Sequence, residues 1–152
     1  MDALPWVDRN WAFLSRLTRL HVALYRTTRG LLGHHLPGLP SMLLLHHRGA
    51  RSGIRRITPL IYVMDSDNLI VVASKSGHPR HPAWFHNLLA HPVTVVQVGA
   101  RRHAVRARVA DPQERERLWP VAAASFRHFE TYRHRAGREI PVVVLEPHGR
   151  PE

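Results

Sequence analysis

From Met42 onward the chain is cut into short apolar runs separated by turn residues, and that rhythm constrains the fold more than any other feature. Met42–His47 reads as a buried strand and Arg48–Gly53 as a loop. Arg55–Met64 is a second strand, Asp65-Ser66-Asp67-Asn68 a hairpin turn, and Leu69–Ser74 a third strand, apolar enough to be covered on both faces. Pro59 has no N–H to give to a ladder, so its position is an edge or a bulge. Thr94–Val98, the Gly99-Ala100 turn and Arg102–Val109 form another hairpin, whose second strand alternates polar and apolar residues. Ile140–Glu146 is the last strand. Hairpin connections make the sheet mainly antiparallel. The order helix, three strands, helix, two strands, helices, strand predicts a small α+β barrel rather than a doubly wound sheet.

Helices flank these strands. Across Phe13–Arg26, the residues Phe13, Leu14, Leu17, Leu20, Leu24 and Tyr25 fall within an arc of about 140° at ~100° per residue. Arg16, Arg19 and Arg26 take the other side, and Trp6 and Trp11 stand just ahead. Such a basic amphipathic helix either packs its apolar face on the domain or lies in a membrane interface. Pro37-Gly38-Leu39-Pro40 then reads as a turn. The expected organisation is an N-terminal helix and linker over residues 1–40 and a barrel domain over 41–148. Pro82 suits the first turn of a short helix through Ala90. Asp111-Pro112-Gln113-Glu114 is a helix start, and Pro120 is expected to kink or restart that helix before a second segment over Val121–Arg135.

Charge is the second constraint. The net charge is +11, and every one of the 22 basic residues except Lys75 is arginine. Genome composition alone can produce such a bias. An anionic partner is the functional reading, because the guanidinium fork binds phosphate and carboxylate in two-point contacts that lysine cannot make. There is no cysteine, hence no disulfide, thiolate nucleophile or thiolate metal site. Aliphatic runs such as Met42–Leu45 and Val142–Leu145 fall short of the about 20 residues of a membrane span or the about 7–15 of a signal peptide. The expectation is a cytoplasmic protein, with peripheral contact at the inner face of the cell membrane as its variant.

Self-contained catalysis finds little support. No Gly-x-Ser-x-Gly and no spacing for a Ser-His-Asp arrangement is present, and no acidic pair stands out as a glycosidase dyad. The 13 histidines include the pairs His34-His35 and His46-His47, but neighbours on a strand point to opposite faces, so no metal centre is expected. The arginines are spread over loops and helices without a nucleic-acid motif, so no nucleic-acid partner is expected either. What remains is anion binding. Arg48–Gly53 and Ser74–Gly77 each combine glycine, serine and a cation and each open off a strand. Either alone is an ordinary glycine turn. Together they offer backbone N–H groups, hydroxyls and cations to an anionic ligand.

These segments carry a resemblance. Gly49, Arg51, Ser52, Gly53, Arg56, Pro59 and Leu60 match one motif of the deazaflavin-dependent nitroreductase family, whose members use coenzyme F420. Ala73, Ser74, Lys75, Gly77, Pro82, Trp84, Asn87 and Leu88 match a second, and Ile140-Pro141-Val142-Val143-Val144-Leu145-Glu146-Pro147 a third. The chain resembles that family over roughly residues 25–147. The resemblance implies a split β-barrel of the FMN-binding type that holds F420. By transfer, Arg51, Ser52, Arg55, Arg56 and Lys75 contact its phosphate or oligoglutamate tail, joined by the backbone of Ser74, Lys75, Ser76 and Gly77 and by Arg80. Pro59, Leu60 and Ile61 lie near the ring. Trp84 and Asn87 hold the short helix against the barrel. Ala50 stands where the family often has arginine, and Arg48 or Arg55 substitutes. His46-His47 stand where threonine is common and Phe85 where tyrosine is usual. Phe126 and Phe129 take positions that are tyrosine in some relatives, whereas Tyr132 keeps its hydroxyl.

The implied reaction is hydride transfer from reduced deazaflavin to a small-molecule acceptor such as a quinone or a nitroaromatic. Tyr132 is the candidate catalytic hydroxyl, with His47 or His128 as alternates. An FMN-binding barrel and a non-catalytic carrier of F420 or lipid are the competing readings. The oligomer is a monomer or a homodimer.

Overall fold

A computed structural model describes residues 11–30 and 40–149. Helix α1 spans Trp11–Thr27, and strands β1 (Met42–Arg48), β2 (Arg55–Asp65) and β3 (Asn68–Val72) follow. A one-turn 3-10 segment, Lys75–Gly77, leads to α2 (Ala83–Ala90). Then come β4 (Val93–Val98), β5 (Arg101–Val109), α3 (Pro112–Ser125), α4 (His128–Ala136) and β6 (Val142–Pro147). The six strands close into a barrel in the order β1-β2-β3-β6-β5-β4, and every ladder is antiparallel.

Closure explains the sequence pattern. Leu43 and Leu45 of β1, Leu69 and Val71 of β3, Val96 of β4, Val105 of β5 and Val143 and Leu145 of β6 point inward and fill the barrel. Trp84, Phe85 and Leu88 of α2 complete this interior core. The alternate residues Ile70, Val72, Val142 and Val144 point outward under α3 and α4, against Leu118, Trp119, Ala122 and Phe129. Strands β3 and β6 therefore read as unbroken apolar runs because both of their faces are covered. Pro59 faces Leu44 across β1 in unbroken register, and the β2–β3 ladder begins only at Tyr62. It occupies a one-sided edge, where a missing N–H costs nothing.

The helix boundaries test the turn chemistry. Asp111 caps α3 by accepting the Glu114 N–H at 2.8 Å, with Pro112 at the first position. The expected break at Pro120 is corrected: α3 runs through it to Ser125 and ends where Phe126 turns extended. The burial of Leu118, Trp119 and Ala122 outweighs the single hydrogen bond an exposed interior proline removes. Pro82 sits one residue before α2, as its cap.

Helix α1 attaches by its last turn. Tyr25 is fully buried, and its hydroxyl accepts the Gly99 N–H at 2.7 Å and lies 3.1 Å from the Met42 carbonyl. Gly30, at φ +81°, passes so close that a Cβ there would sit 2.4 Å from the Gly99 Cα. Three further residues of the expected apolar stripe are exposed: Leu17, Leu20 and Leu24, at 46%, 57% and 43%. Trp6, the side chains of Trp11, Phe13 and Leu14, and residues 37–39 of the expected turn lie outside the described residues.

Candidate functional site

Two turns open at one end of the barrel. The segment Gly49–Ile54 precedes β2 and the Lys75–Gly77 turn follows β3; since these strands are antiparallel, both turns emerge at the same end. The first is closed by the Gly49 N–H donating to the Ile54 carbonyl and the Gly53 N–H donating to the Gly49 carbonyl, both at 2.9 Å. The Ser52 hydroxyl accepts the Ile54 N–H at 3.2 Å. With its backbone bonds satisfied internally, the turn leaves the side chains of Arg51, Arg55 and Arg56 in solvent.

A buried relay fixes this turn to the barrel. Asn87 of α2 accepts the Ala50 N–H through Oδ1 at 2.9 Å and donates through Nδ2 to His47 Nδ1 at 2.9 Å. That leaves the His47 proton on Nε2, which donates to Thr58 Oγ1 at 2.9 Å. Burial, then the charges of Arg56 and His46, push the His47 pKa down to about 4. His47 is thus a neutral bracket with both ring nitrogens engaged. The expected holding role of Asn87 takes concrete form here.

The second turn is unusual. Lys75, Ser76 and Gly77 all have positive φ, at 46°, 53° and 76°. Two consecutive non-glycine residues in the left-handed region carry about 1–3 kcal/mol of strain each, which the surroundings must hold in place. Gly77 lies against α4: a Cβ there would stand 3.1 Å from both the Cα and the carbonyl oxygen of Tyr132 and 3.2 Å from the Arg135 Cβ. The turn and Tyr132 are therefore in direct contact. Tyr132 itself belongs to an aromatic group, with Phe126 at 6.2 Å and His128 stacked at 6.3 Å between ring centroids.

The strand β2 separates the remaining candidates. Leu60 pairs with Leu43 and packs into the barrel interior. Ile61 packs against the outer core, the same core that Phe126 and Tyr132 pack against. By the alternation of a strand, Pro59 shares the outer face with Ile61 and not with Leu60. The expected trio is thus split, and Leu60 underlies the surface that Pro59 and Ile61 form. Ser74 is buried, whereas the side chains of Lys75, Ser76 and Arg80 are exposed.

Beside the first turn runs a groove of about 760 Å³, lined by Arg26, His46, Arg48, Arg55, Arg56 and Arg102 with no carboxylate among its lining residues. None of these arginines is in the four ion pairs found among the described residues. His46 is held below its usual pKa by burial and by Arg102 and Arg26, and its Nε2 is buried without a hydrogen-bond partner. Arg26, His46 and Arg102 escape sequence reasoning, because only barrel closure brings α1, β1 and β5 together. No group of three or more histidine, cysteine or acidic side chains placed to hold a metal occurs among the described residues.

Arg138 is the other residue missed. Its guanidinium donates to the carbonyls of His78, Ala73, Ser74, Arg80 and Glu139 at 3.1–3.3 Å and to His81 Nδ1 at 2.9 Å. In the sequence it is one arginine of many, just ahead of the Ile140-Pro141 motif. The cationic groove and the two turns suit a polyanionic ligand.

Comparison with known proteins matches this chemistry. The family described as F420H(2)-dependent quinone reductase matches residues 17–147. An F420H(2)-dependent quinone reductase of Mycobacterium tuberculosis is 42% identical over 148 residues, covering 95% of this chain and 98% of that one. The solved F420-H2 dependent reductase FDR-A superposes with a TM-score of 0.64 at 35% identity, over 69% of this chain and 93% of that one. A second solved structure, described as a domain-swapped dimer, gives a TM-score of 0.67 at 30% identity over 95% of this chain and all of that one.

Proposed function

The chain belongs to the F420H(2)-dependent quinone reductase family, and on that premise we propose that it reduces a quinone with reduced F420, with nitroaromatics as a second acceptor class. The observation that carries this reading is the contact of the left-handed Lys75–Gly77 turn with Tyr132, at the barrel end where the arginine turn also opens.

When bound, the deazaflavin supplies a two-electron hydride donor. The chain's own residues do the rest. Arg51, Ser52, Arg55, Arg56 and Lys75 hold phosphate and carboxylates by charge-assisted hydrogen bonds, with Arg48 and Arg80 in reach of the same chain end. The backbone of Ser74–Ser76 adds N–H donors, the Gly77 N–H being spent on the Ser74 carbonyl within the turn. Pro59 and Ile61 form an apolar seat, stiffened from within by Leu60. Negative charge grows on the acceptor oxygen as hydride arrives, and the Tyr132 hydroxyl stabilises it by donating a hydrogen bond or its proton.

The test is a titration of the purified protein with F420, FMN and a nicotinamide cofactor, followed by fluorescence. Binding of F420 with quinone-dependent turnover supports the proposal; binding of FMN alone refutes it. Tyr132→Phe should lower turnover with F420 affinity kept, and unchanged turnover would remove Tyr132 from the reaction.

Two further readings belong to the same proposal. No helix of the described residues is long and apolar enough to cross a membrane. The exposed Leu17, Leu20 and Leu24 of α1, next to Arg16 and Arg19, suit peripheral contact at the cytoplasmic face of a membrane that holds the quinone. Flotation with anionic liposomes, for the full chain and a form lacking residues 1–24, decides this; equal behaviour counts against it. The similarity to a domain-swapped dimer supports a homodimer, which sedimentation tests.

A further inference from the structure

We infer that Arg138 is the positioning residue that holds the Ser74–Gly77 turn in its anion-binding form, and that a proton on His81 releases this hold. The inference rests on the F420 reading above for its functional meaning, and on the fold alone for its mechanics.

The turn needs a clamp. Lys75 and Ser76 are non-glycine residues at φ 46° and 53°, and the two hydrogen bonds within the turn run from the Gly77 N–H to the Ser74 carbonyl and from the His78 N–H to the Lys75 carbonyl. Nothing in those two bonds prevents relaxation to ordinary backbone angles. Arg138 supplies what is missing. One guanidinium spans both sides of the turn, taking the carbonyls of Ala73 and Ser74 before it and of His78 and Arg80 after it. A fork of five N–H donors in fixed geometry can do this, and a single ammonium cannot. The half-buried Arg138 has no carboxylate in ion-pair range among the described residues, so its charge is balanced by carbonyl dipoles.

His81 makes the hold sensitive to protons. Arginine only donates, so His81 Nδ1, 2.9 Å from the guanidinium, must carry the lone pair. Protonation removes that acceptor and sets an imidazolium against a guanidinium. Burial, Arg138 and His86 all hold the His81 pKa below its usual value. Around it stand the Phe85 ring at 4.9 Å and the His86 ring at 5.8 Å from α2. On the loop itself are His78, whose Nδ1 accepts the Arg80 N–H at 2.9 Å, and the cations Lys75 and Arg80. Arg135 of α4 meets the turn at Gly77, and on the other side Arg115, Glu116, Arg133 and Glu139 share a surface cleft with Arg138. The immediate ring of His81 is cationic, so a proton there meets repulsion rather than a counter-charge.

The experiment is amide hydrogen exchange of residues 73–81 in cofactor-free full-length protein, paired with F420 titration, each at pH 8 and pH 5.5. Wild type, Arg138→Lys and His81→Asn are compared; the asparagine keeps an acceptor that does not titrate. Relative to the intrinsic exchange rate at each pH, wild type should lose protection and bind F420 several-fold more weakly at pH 5.5, while His81→Asn should keep the same protection factors and affinity at both. Arg138→Lys should show low protection factors at both pH values and bind F420 about tenfold more weakly. Wild-type protection in Arg138→Lys, or an unchanged pH dependence in His81→Asn, overturns the inference. Should Arg138→Lys fail to fold, the His81→Asn profile alone decides. If wild type binds no F420 at either pH, the proposed function fails, and the exchange profile still judges the clamp.

Discussion

Replacing Gly77 with alanine separates two costs that a glycine can conceal. At φ +76° any side chain pays the left-handed penalty of about 1–2 kcal/mol. The new Cβ would also meet the Tyr132 Cα and carbonyl at 3.1 Å and the Arg135 Cβ at 3.2 Å, two of them backbone atoms that cannot swing aside. Overpacking of that kind adds about 1–3 kcal/mol. Gly53 is the internal control, since it has φ +66° and nothing within 4 Å of a built Cβ. Gly53→Ala should therefore cost only the first term, and Gly77→Ala about 3 kcal/mol in all. For a chain of this length that corresponds to a fall in Tm of about 6–12 °C for Gly77→Ala and about 2–8 °C for Gly53→Ala. Calorimetry and urea unfolding of the two variants read the difference directly. Equal losses, or a Gly77→Ala loss below about 1 kcal/mol, would refute the claim that this turn is packed on the α4 backbone.

Other consequences are simpler to state. Asn87→Leu strands the Ala50 N–H and breaks the His47 relay, so urea unfolding should show a loss of about 1–3 kcal/mol. His47 binds its proton far less readily folded, at about 4, than at its ordinary 6.5, so the unfolded chain takes up more protons between those values. Stability should be full above about pH 6.5 and decline as pH falls through about 4; His47→Gln should flatten that slope in pH-dependent thermal melts. Arg51→Ala and Lys75→Ala should each weaken F420 binding by roughly tenfold and make it less salt-sensitive, which fluorescence titration at two ionic strengths reads.

The barrel was legible because short apolar runs bounded by turns marked its strands, with polar and apolar residues alternating in β5 and β3 apolar enough to be covered on both faces. The Asp111 cap was legible because it is local. The two anion turns were legible as Gly-Ser-cation clusters, but their contact partners were not. Arg138 reaches carbonyls up to 65 residues away, and Arg26 and Arg102 meet His46 only through the closed sheet. Local pattern carries no trace of such contacts. Pro120 misled because propensity was weighed without the burial of its helix. The stripe on α1 was legible, but amphipathicity names a face without naming what covers it.

The segregation of charge has a kinetic consequence. No acidic residue occurs between Asp8 and Asp65 or between Asp67 and Asp111. Among the described residues the groove arginines are in no ion pair, while Arg108, Arg117 and Arg133 are tied to Glu114, Glu146, Asp65 and Glu130. The groove beside the first turn is thus a patch of positive potential. An anionic ligand is drawn in before contact and turned tail-first by the field, so raising the ionic strength should slow its arrival far more than it hastens its departure.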